Sequence, residues 1–240
     1  LTGCHTWLIE LNIPKCKSMR VSRRNAVCPT YYLNSASLEP VHCYRYLGIH
    51  ITSDLSWYIH IEHVINNANR MLGLLIRNFS SVPSSLKLLL YKSLVRSKLE
   101  YAASVWDPGM EYLVQSLEAV QNKSARFILS NYHRTSSVTS MKLSLSLPTL
   151  ALRRQYSRHS LFHKIYHNPA MRHNLLTPPY YISRRLDHKN KVGVFPCNTN
   201  AFFYSFIPRT SVEWNHLPHD IATIDDLCIF KDALYNLLFF

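Results

Sequence analysis

The sequence is short of acids, of glycine and of paired cysteines, and each shortage narrows what the protein can be. Only 14 Asp and Glu stand against 27 Lys and Arg, a formal net charge of +13 with 13 histidines besides. An excess of this size favours a polyanionic partner or an acidic surface. Five glycines and 12 prolines predict helices with sharp punctuation. The six cysteines (Cys4, Cys16, Cys28, Cys43, Cys197, Cys228) stand singly, with no C-x-x-C spacing. That argues against a disulfide framework or a Cys-rich zinc ribbon and fits free thiols in a reducing compartment. No apolar run approaches the roughly 18 residues of a membrane span, and no basic, apolar, small-residue leader opens the chain. The expectation is a soluble intracellular protein, nuclear or cytoplasmic and not secreted, without a membrane partner. The chain opens at Leu1 and its first methionine is Met19, which suggests a piece of something longer.

What is present is a globular composition, 47% hydrophobic and 12% aromatic, long enough for one large domain or two modest ones. Pro14 pushes Ile13 toward extended geometry and makes Leu11–Pro14 a turn. Lys15 to Val21 alternates like a strand, and Val27 to Leu33 and Tyr44 to Thr52 are aromatic and β-branched strands separated by Asn34–Ser37 and Pro40. Beyond Thr52 the pattern is helical. Asp54 is the expected cap of a helix whose apolar stripe runs through Trp57, Ile61, Val64, Ile65, Ala68, Met71, Leu72, Leu75, Ile76 and Phe79. Val82-Pro83-Ser84-Ser85 opens a second helix, with Leu86, Leu89, Leu90, Leu94, Val95 and Leu99 inside and Lys87, Lys92 and Lys98 outside. Trp106-Asp107-Pro108-Gly109 is a turn. A third helix runs from about Glu111 to Leu129, burying Leu113, Leu117, Val120, Ala125 and Ile128. Leu147-Pro148-Thr149-Leu150 starts a further helix with Leu152, Tyr156, Leu161, Phe162 and Ile165 apolar and its arginine pair exposed. Pro169, Pro178 and Pro179 mark a looser segment to about residue 200, and a last helix covers Asp226 to Phe239. The predicted class is α+β, mostly α. Residues 150–191 carry nine Lys and Arg against one acid, Asp187, and are the expected phosphate-facing stretch.

Taken in order, these segments resemble the distal part of a non-LTR (LINE-like, jockey-type) retrotransposon reverse transcriptase. Tyr46-Leu47-Gly48 is similar to that family's primer-grip turn between palm and thumb. Asn67-Ala68-Asn69-Arg70-Met71-Leu72-Gly73 and Tyr91-Lys92-Ser93-Leu94-Val95-Arg96 resemble its first two thumb helices. Val105-Trp106-Asp107-Pro108 and Glu118–Phe127 resemble the turn before the third helix and that helix. Pro208-Arg209-Thr210 with Glu213-Trp214-Asn215-His216-Leu217-Pro218 looks like the C-terminal signature. The resemblance implies a palm remnant (1–53), a helical thumb (54–147) and a basic extension (148–240). It implies a fragment of an RNA-directed DNA polymerase whose residual role is to bind RNA and RNA–DNA template–primer, with no small-molecule substrate. Tyr46, Leu47, Gly48, Lys15, Lys123, Arg126, Arg153, Arg154 and Arg158 are the implied nucleic-acid contacts. Lys15 stands where related polymerases bring a lysine near the triphosphate.

Polymerisation needs carboxylates that hold two metal ions, and in this family they precede the primer grip. Before Gly48 the only acids are Glu10 and Glu39. No catalytic residue, metal ligand or cofactor is therefore expected in this chain, Mg²⁺ belonging only to an intact polymerase. Asp225-Asp226 fits a helix start, by the preference of carboxylates for that end. His159, His163 and His167 fit a basic, partly solvated helix face better than a metal site. The alternative reading is a non-enzymatic helical interaction protein or an inert transposon relic.

Overall fold

The computed structural model describes residues 12–22, 29–183 and 185–239. Leu11, Glu10, Arg184 and the Val27-Cys28 start of one expected strand lie outside these residues. The chain divides into two compact units, residues 1–60 and 61–240. It is mostly helical, and among the described residues its few short strands lie in the first unit.

In the first unit Pro14 seeds a 3₁₀ turn over Ile13–Lys15. Among the described residues six short strands follow: β1 (Lys17–Ser18), β2 (Tyr32–Leu33), β3 (Ala36–Ser37), β4 (Glu39–Pro40), β5 (Cys43–Tyr46) and β6 (Ile49–Thr52). β1 pairs in parallel with β4, and Lys17 meets Glu39 at 2.5 Å beside that register. Asn34-Ser35, expected as a separating loop, closes a hairpin between β2 and β3 because both residues take positive φ, 48° and 64°. The longer hairpin pairs β5 with β6 and sets Tyr46 opposite Ile49. Its turn is Leu47 at φ 46° and Gly48 at φ 85°. Two consecutive left-handed residues give a primed turn, whose twist matches that of the flanking strands. Glycine enters that region freely, whereas leucine is strained there.

Asp54 does not cap the next helix. Its carboxylate accepts the Ser56 N–H at 3.0 Å, and Leu55 takes φ 57°. This Asx turn uses up the carboxylate locally and delays α1 to Tyr58–Asn78.

In the second unit Ile61, Val64, Ala68, Leu72 and Leu75 of α1 are buried as the periodicity predicts, whereas Ile65 and Met71 on the flanks of that stripe are half-buried and Ile76 is exposed. The next helix departs from expectation. It begins as α2 (Ser84–Leu90), passes through a π turn at Tyr91–Arg96 and ends as α3 (Ser97–Glu100). Its buried line is Lys87, Tyr91, Val95 and Leu99, while Leu86, Leu89 and Leu94 are exposed. In a regular α-helix each four-residue step overshoots a full turn by about 40°. The π turn underwinds the chain and brings the positions spaced by four back into line. Lys87, expected outside, is 3% exposed; its ammonium donates to Ser130 Oγ at 2.7 Å and lies 5.2 Å from the centre of the Phe127 ring. The Tyr91 hydroxyl donates to Gln121 at 2.7 Å, and Gln121 donates in turn to the Pro148 carbonyl at 2.9 Å.

A left-handed Ala102 precedes the single turn α4 (Ala103–Trp106). α5 occupies Glu111–Leu129 and buries every residue expected. α6 (Val138–Ser144), capped by Ser137, went unanticipated. α7 (Leu150–His167) starts at Thr149, whose hydroxyl accepts the Leu152 N–H. Then come α8 (Pro169–Leu175), in a segment expected to be loose, α9 (Asn200–Phe203), α10 (Phe206–Asn215), α11 (His219–Ala222) and α12 (Leu227–Phe239). Phe162, Ile165, Tyr166, Leu176, Val192, Trp214, Phe230 and Leu234 form a core beneath these helices. No break in the fold coincides with residues 147–148. Glu118 accepts the Leu150 and Ala151 N–H groups, a capping bond that joins α5 to the start of α7.

Replacing Leu47 with asparagine relieves a strained left-handed residue that is 72% exposed and removes no packing. The expected result is a gain of about 0.5–1 kcal/mol in the stability of the first unit. Urea unfolding followed by tyrosine fluorescence measures it; a loss of stability would mean that the Leu47 side chain is itself held in place.

Candidate nucleic-acid interface

The hairpin offers the first group of sequence-predicted contacts. Tyr46 and Leu47 project from its tip into solvent, Gly48 is half-buried beneath them, and Arg45 is exposed beside them. Lys15 is held alongside, since the Tyr44 hydroxyl donates to the Lys15 carbonyl at 3.3 Å and leaves the lysine side chain exposed. Tyr46 at the exposed tip can stack on a base, and the exposed Lys15 and Arg45 of the same unit can meet phosphates.

Lys123 and Arg126 lie three apart on α5, away from its buried stripe, and so share a face. Lys123 is exposed. Arg126 is half-buried, and its Nη1 donates to the His133 carbonyl at 3.0 Å, folding the loop after the helix back onto this face.

The arginines of α7 are placed differently from the exposed pair expected, and of its expected apolar residues Leu161 is exposed and Leu152 and Tyr156 only half-buried. Leu150, Arg154, Arg158 and Phe162 succeed one another every fourth residue and all are buried, so two arginines lie on the apolar stripe itself. Arg154 is 1% exposed. Its Nε donates to Asp107 Oδ1 at 2.5 Å. Arg158 contacts the other Asp107 oxygen and donates through Nη2 to both Glu213 oxygens at 2.7 Å. Arg209 lies 3.3 Å from Asp107 and 3.1 Å from Glu213. Three guanidinium groups thus surround two carboxylates brought from α4's end and from α10. Arg153, half-buried, forms a two-pronged pair with Glu100, one prong at 2.9 Å. Arg154 and Arg158 are closed to phosphate by their burial, and Arg153 is largely engaged by its carboxylate.

Burial pushes the Arg154 guanidinium down to about 10, still charged at neutral pH. Burial also raises the Glu213 carboxyl, but the charge and hydrogen bond of Arg158, with His159 and Arg209, outweigh it and hold the group below its ordinary range.

The linear excess of residues 150–191 is therefore reduced in space. Arg153, Arg154 and Arg158 are paired with acids from outside the stretch. Lys191 pairs with Asp187 at 2.8 Å, and the Arg172 guanidinium lies 4.1 Å from the centre of the Tyr166 ring. Lys164, Arg185 and Lys189 stay exposed. The anchoring acids Glu100, Asp107, Glu118 and Glu213 went unanticipated as site residues. The signal was available in the apolar register of Arg154 and Arg158, since a charge on a core stripe needs a buried counter-charge.

The histidines of α7 also differ from the solvated face expected. His159 and His163 are buried, and burial pushes both below the ordinary value. His159 bonds the Gln155 carbonyl; His163 bonds the Ile224 carbonyl at 2.8 Å and stacks on Phe230. Among the described residues no three His, Cys, Asp or Glu side chains gather where they would hold a metal ion. Asp226 accepts the Cys228 and Ile229 N–H groups at 2.8 and 2.9 Å and caps α12. Among the described residues no helix is long and apolar enough to cross a membrane.

No family model matches the chain, and no solved structure matches it. Among curated proteins it is similar to a probable RNA-directed DNA polymerase from transposon X-element of Drosophila melanogaster, 22% identical over 125 residues. It is similar as well to the RNA-directed DNA polymerases from mobile element jockey of Drosophila melanogaster and Drosophila funebris, each 24% identical over 125 residues. Each match covers 51% of this chain and 14% of the relative, so the chain spans a small part of their length.

Asp107→Asn leaves three arginines around one carboxylate and is expected to cost about 3–5 kcal/mol, whereas Lys189→Ala at the surface stays within about 0.5 kcal/mol. Urea unfolding of the two variants separates the cases, and similar values for both would refute the network's weight. Acid should destabilise in two stages. The buried His159, His163 and His188 have folded values below 6.5, so the unfolded chain takes up more protons and stability falls as pH drops below 6.5. Glu213, depressed below 4.5, adds a second loss as pH falls through that value and on through its folded one. A flat urea midpoint between about pH 7 and about pH 5 would contradict the burial of these rings.

Proposed function

We propose that the chain is the primer-grip and thumb end of a retrotransposon RNA-directed DNA polymerase, and that by itself it holds an RNA or RNA–DNA template–primer without extending it. The observation that carries the reading is the primed hairpin presenting Tyr46 and Leu47 beside Lys15, at the head of motifs ordered as in such polymerases. The similarity to the three Drosophila polymerases supports it. Residues 1–53 are then a palm remnant, 54–147 the thumb, and 148–240 an extension that braces the thumb through Glu100, Asp107 and Glu118. Arg153, Arg154 and Arg158 act in that bracing, and binding falls to Lys15, Lys123, Arg126 and the hairpin tip. Gly48 lets the backbone come close to a primer end because no side chain intervenes. The Mg²⁺ ions of an intact polymerase need a free carboxylate pair; in this chain Asp107 is enclosed by arginines and Asp226 caps a helix.

Phosphate contacts make affinity fall steeply with salt. Fluorescence anisotropy of a labelled RNA–DNA hybrid titrated with the purified chain should show tight retention at low salt. Lys123→Ala should weaken binding and reduce the slope of log affinity against log salt by about one. No retention at low salt would overturn the proposal. The exposed Leu86, Leu89 and Leu94 favour a second reading, a helical protein-interaction surface. Retention that persists at high salt, or that goes only to proteins, would select it.

A further inference from the structure

Thr177-Pro178-Pro179-Tyr180-Tyr181 takes no part in the helices or in the core. Tyr180 is fully exposed and Tyr181 is 69% exposed, and among the described residues no hydrogen bond restrains either side chain. Both ends of the segment are tied down. Leu176 is buried just before it. The Thr177 carbonyl accepts the Gly193 N–H at 2.8 Å, an approach that requires glycine, since a Cβ there would lie 2.7 Å from the Pro178 oxygen. On the far side the Ser183 N–H donates to Asp187 at 2.7 Å, and Asp187 is held in turn by Lys191.

Between these anchors the chain is conformationally narrow. Proline fixes φ at Pro178 and Pro179, and a following proline pushes Thr177 and Pro178 into extended geometry. The pair therefore favours polyproline II, while the chain bends at Tyr180. The two prolines are thus pre-set for a groove that takes polyproline II and lose little entropy on docking, and Tyr180 is where the chain has to straighten.

We propose that Pro178-Pro179-Tyr180-Tyr181 is a docking motif for the aromatic-lined groove of a WW-type domain on a partner protein. Polyproline II has three residues per turn and rises about 3.1 Å per residue. Once the bend opens, Pro178 and Tyr181 share one edge, about 9 Å apart. The proline then enters the aromatic slot and Tyr181 the neighbouring pocket, while Tyr180 faces away and is free to vary. A groove that reads two prolines three apart does not fit, because the residues three beyond Pro178 and Pro179 are Tyr181 and Ile182. The four-residue motif carries no charge, so this contact is independent of phosphate binding and insensitive to salt.

The test titrates the full chain with a purified WW domain selective for Pro-Pro-x-Tyr ligands and follows binding by calorimetry at low and high salt. The expected result is saturable one-to-one binding of similar affinity at both salt concentrations. Tyr181→Ala should weaken it by about tenfold or more, and Tyr180→Ala by less than about threefold. Both side chains lie in solvent, so circular dichroism and the urea midpoint of each variant should match the parent chain. Absence of binding by the parent chain, or equal losses for Tyr180→Ala and Tyr181→Ala, would overturn the proposal.

Discussion

The second unit is organised around the Asp107 carboxylate. It lies at the end of a single helical turn, is almost fully buried, and accepts Arg154 and Arg158 from α7 while Arg209 approaches from α10. Taking a carboxylate and two guanidinium groups out of water is costly, and their attraction offsets that only when the geometry is met. The cost of getting it wrong is what gives the cluster its structural force. Any slip of α7 by one residue would turn Arg154 and Arg158 off the stripe and leave the buried Asp107 with Arg209 alone. Glu213 completes the arrangement by joining Arg158 to Arg209.

That constraint gives physical meaning to the segments that resemble polymerase signatures. Trp106, fully buried, donates through its indole N–H to the Tyr101 carbonyl at 2.8 Å, and the next residue is the carboxylate just described. In Glu213-Trp214-Asn215 each residue has a different task. Glu213 holds arginines, Trp214 fills the core and donates to the Asn190 carbonyl, and Asn215 pairs with Val192 through both backbone groups, as a neighbouring strand would. These signatures hold a fold together, which is a different role from touching nucleic acid.

Much of the local structure is legible in the sequence because its determinants are local. Thr149 caps α7, Asp226 caps α12, and α5 has the expected ends and buried face. The failures have identifiable competitors. Asp54 was taken by a nearer backbone N–H. The buried face of α2 and α3 was rotated by a π turn that leaves no compositional mark. α6 was obscured because Ser137 caps a helix only seven residues long, Val138–Ser144. In the candidate interface, the hairpin tip and Lys123 lie at the surface as the residue types suggest, whereas Arg154 and Arg158 do not.

The helical class, a turn at Tyr46-Leu47-Gly48, the starts of α7 and α12, and a motif order that resembles retrotransposon polymerases are all legible in the linear sequence. Turn chemistry, capping and periodicity act over a few residues, so a linear reading captures them. Which cations face water is settled by packing between segments far apart in the chain. A buried charge is tolerated where a counter-charge waits, and for Arg154 and Arg158 the counter-charges come from Asp107 and Glu213, about fifty residues away in sequence. A count along residues 150–191 shows a basic stretch, while the fold shows an interior ion-pair cluster with a smaller set of free cations around it.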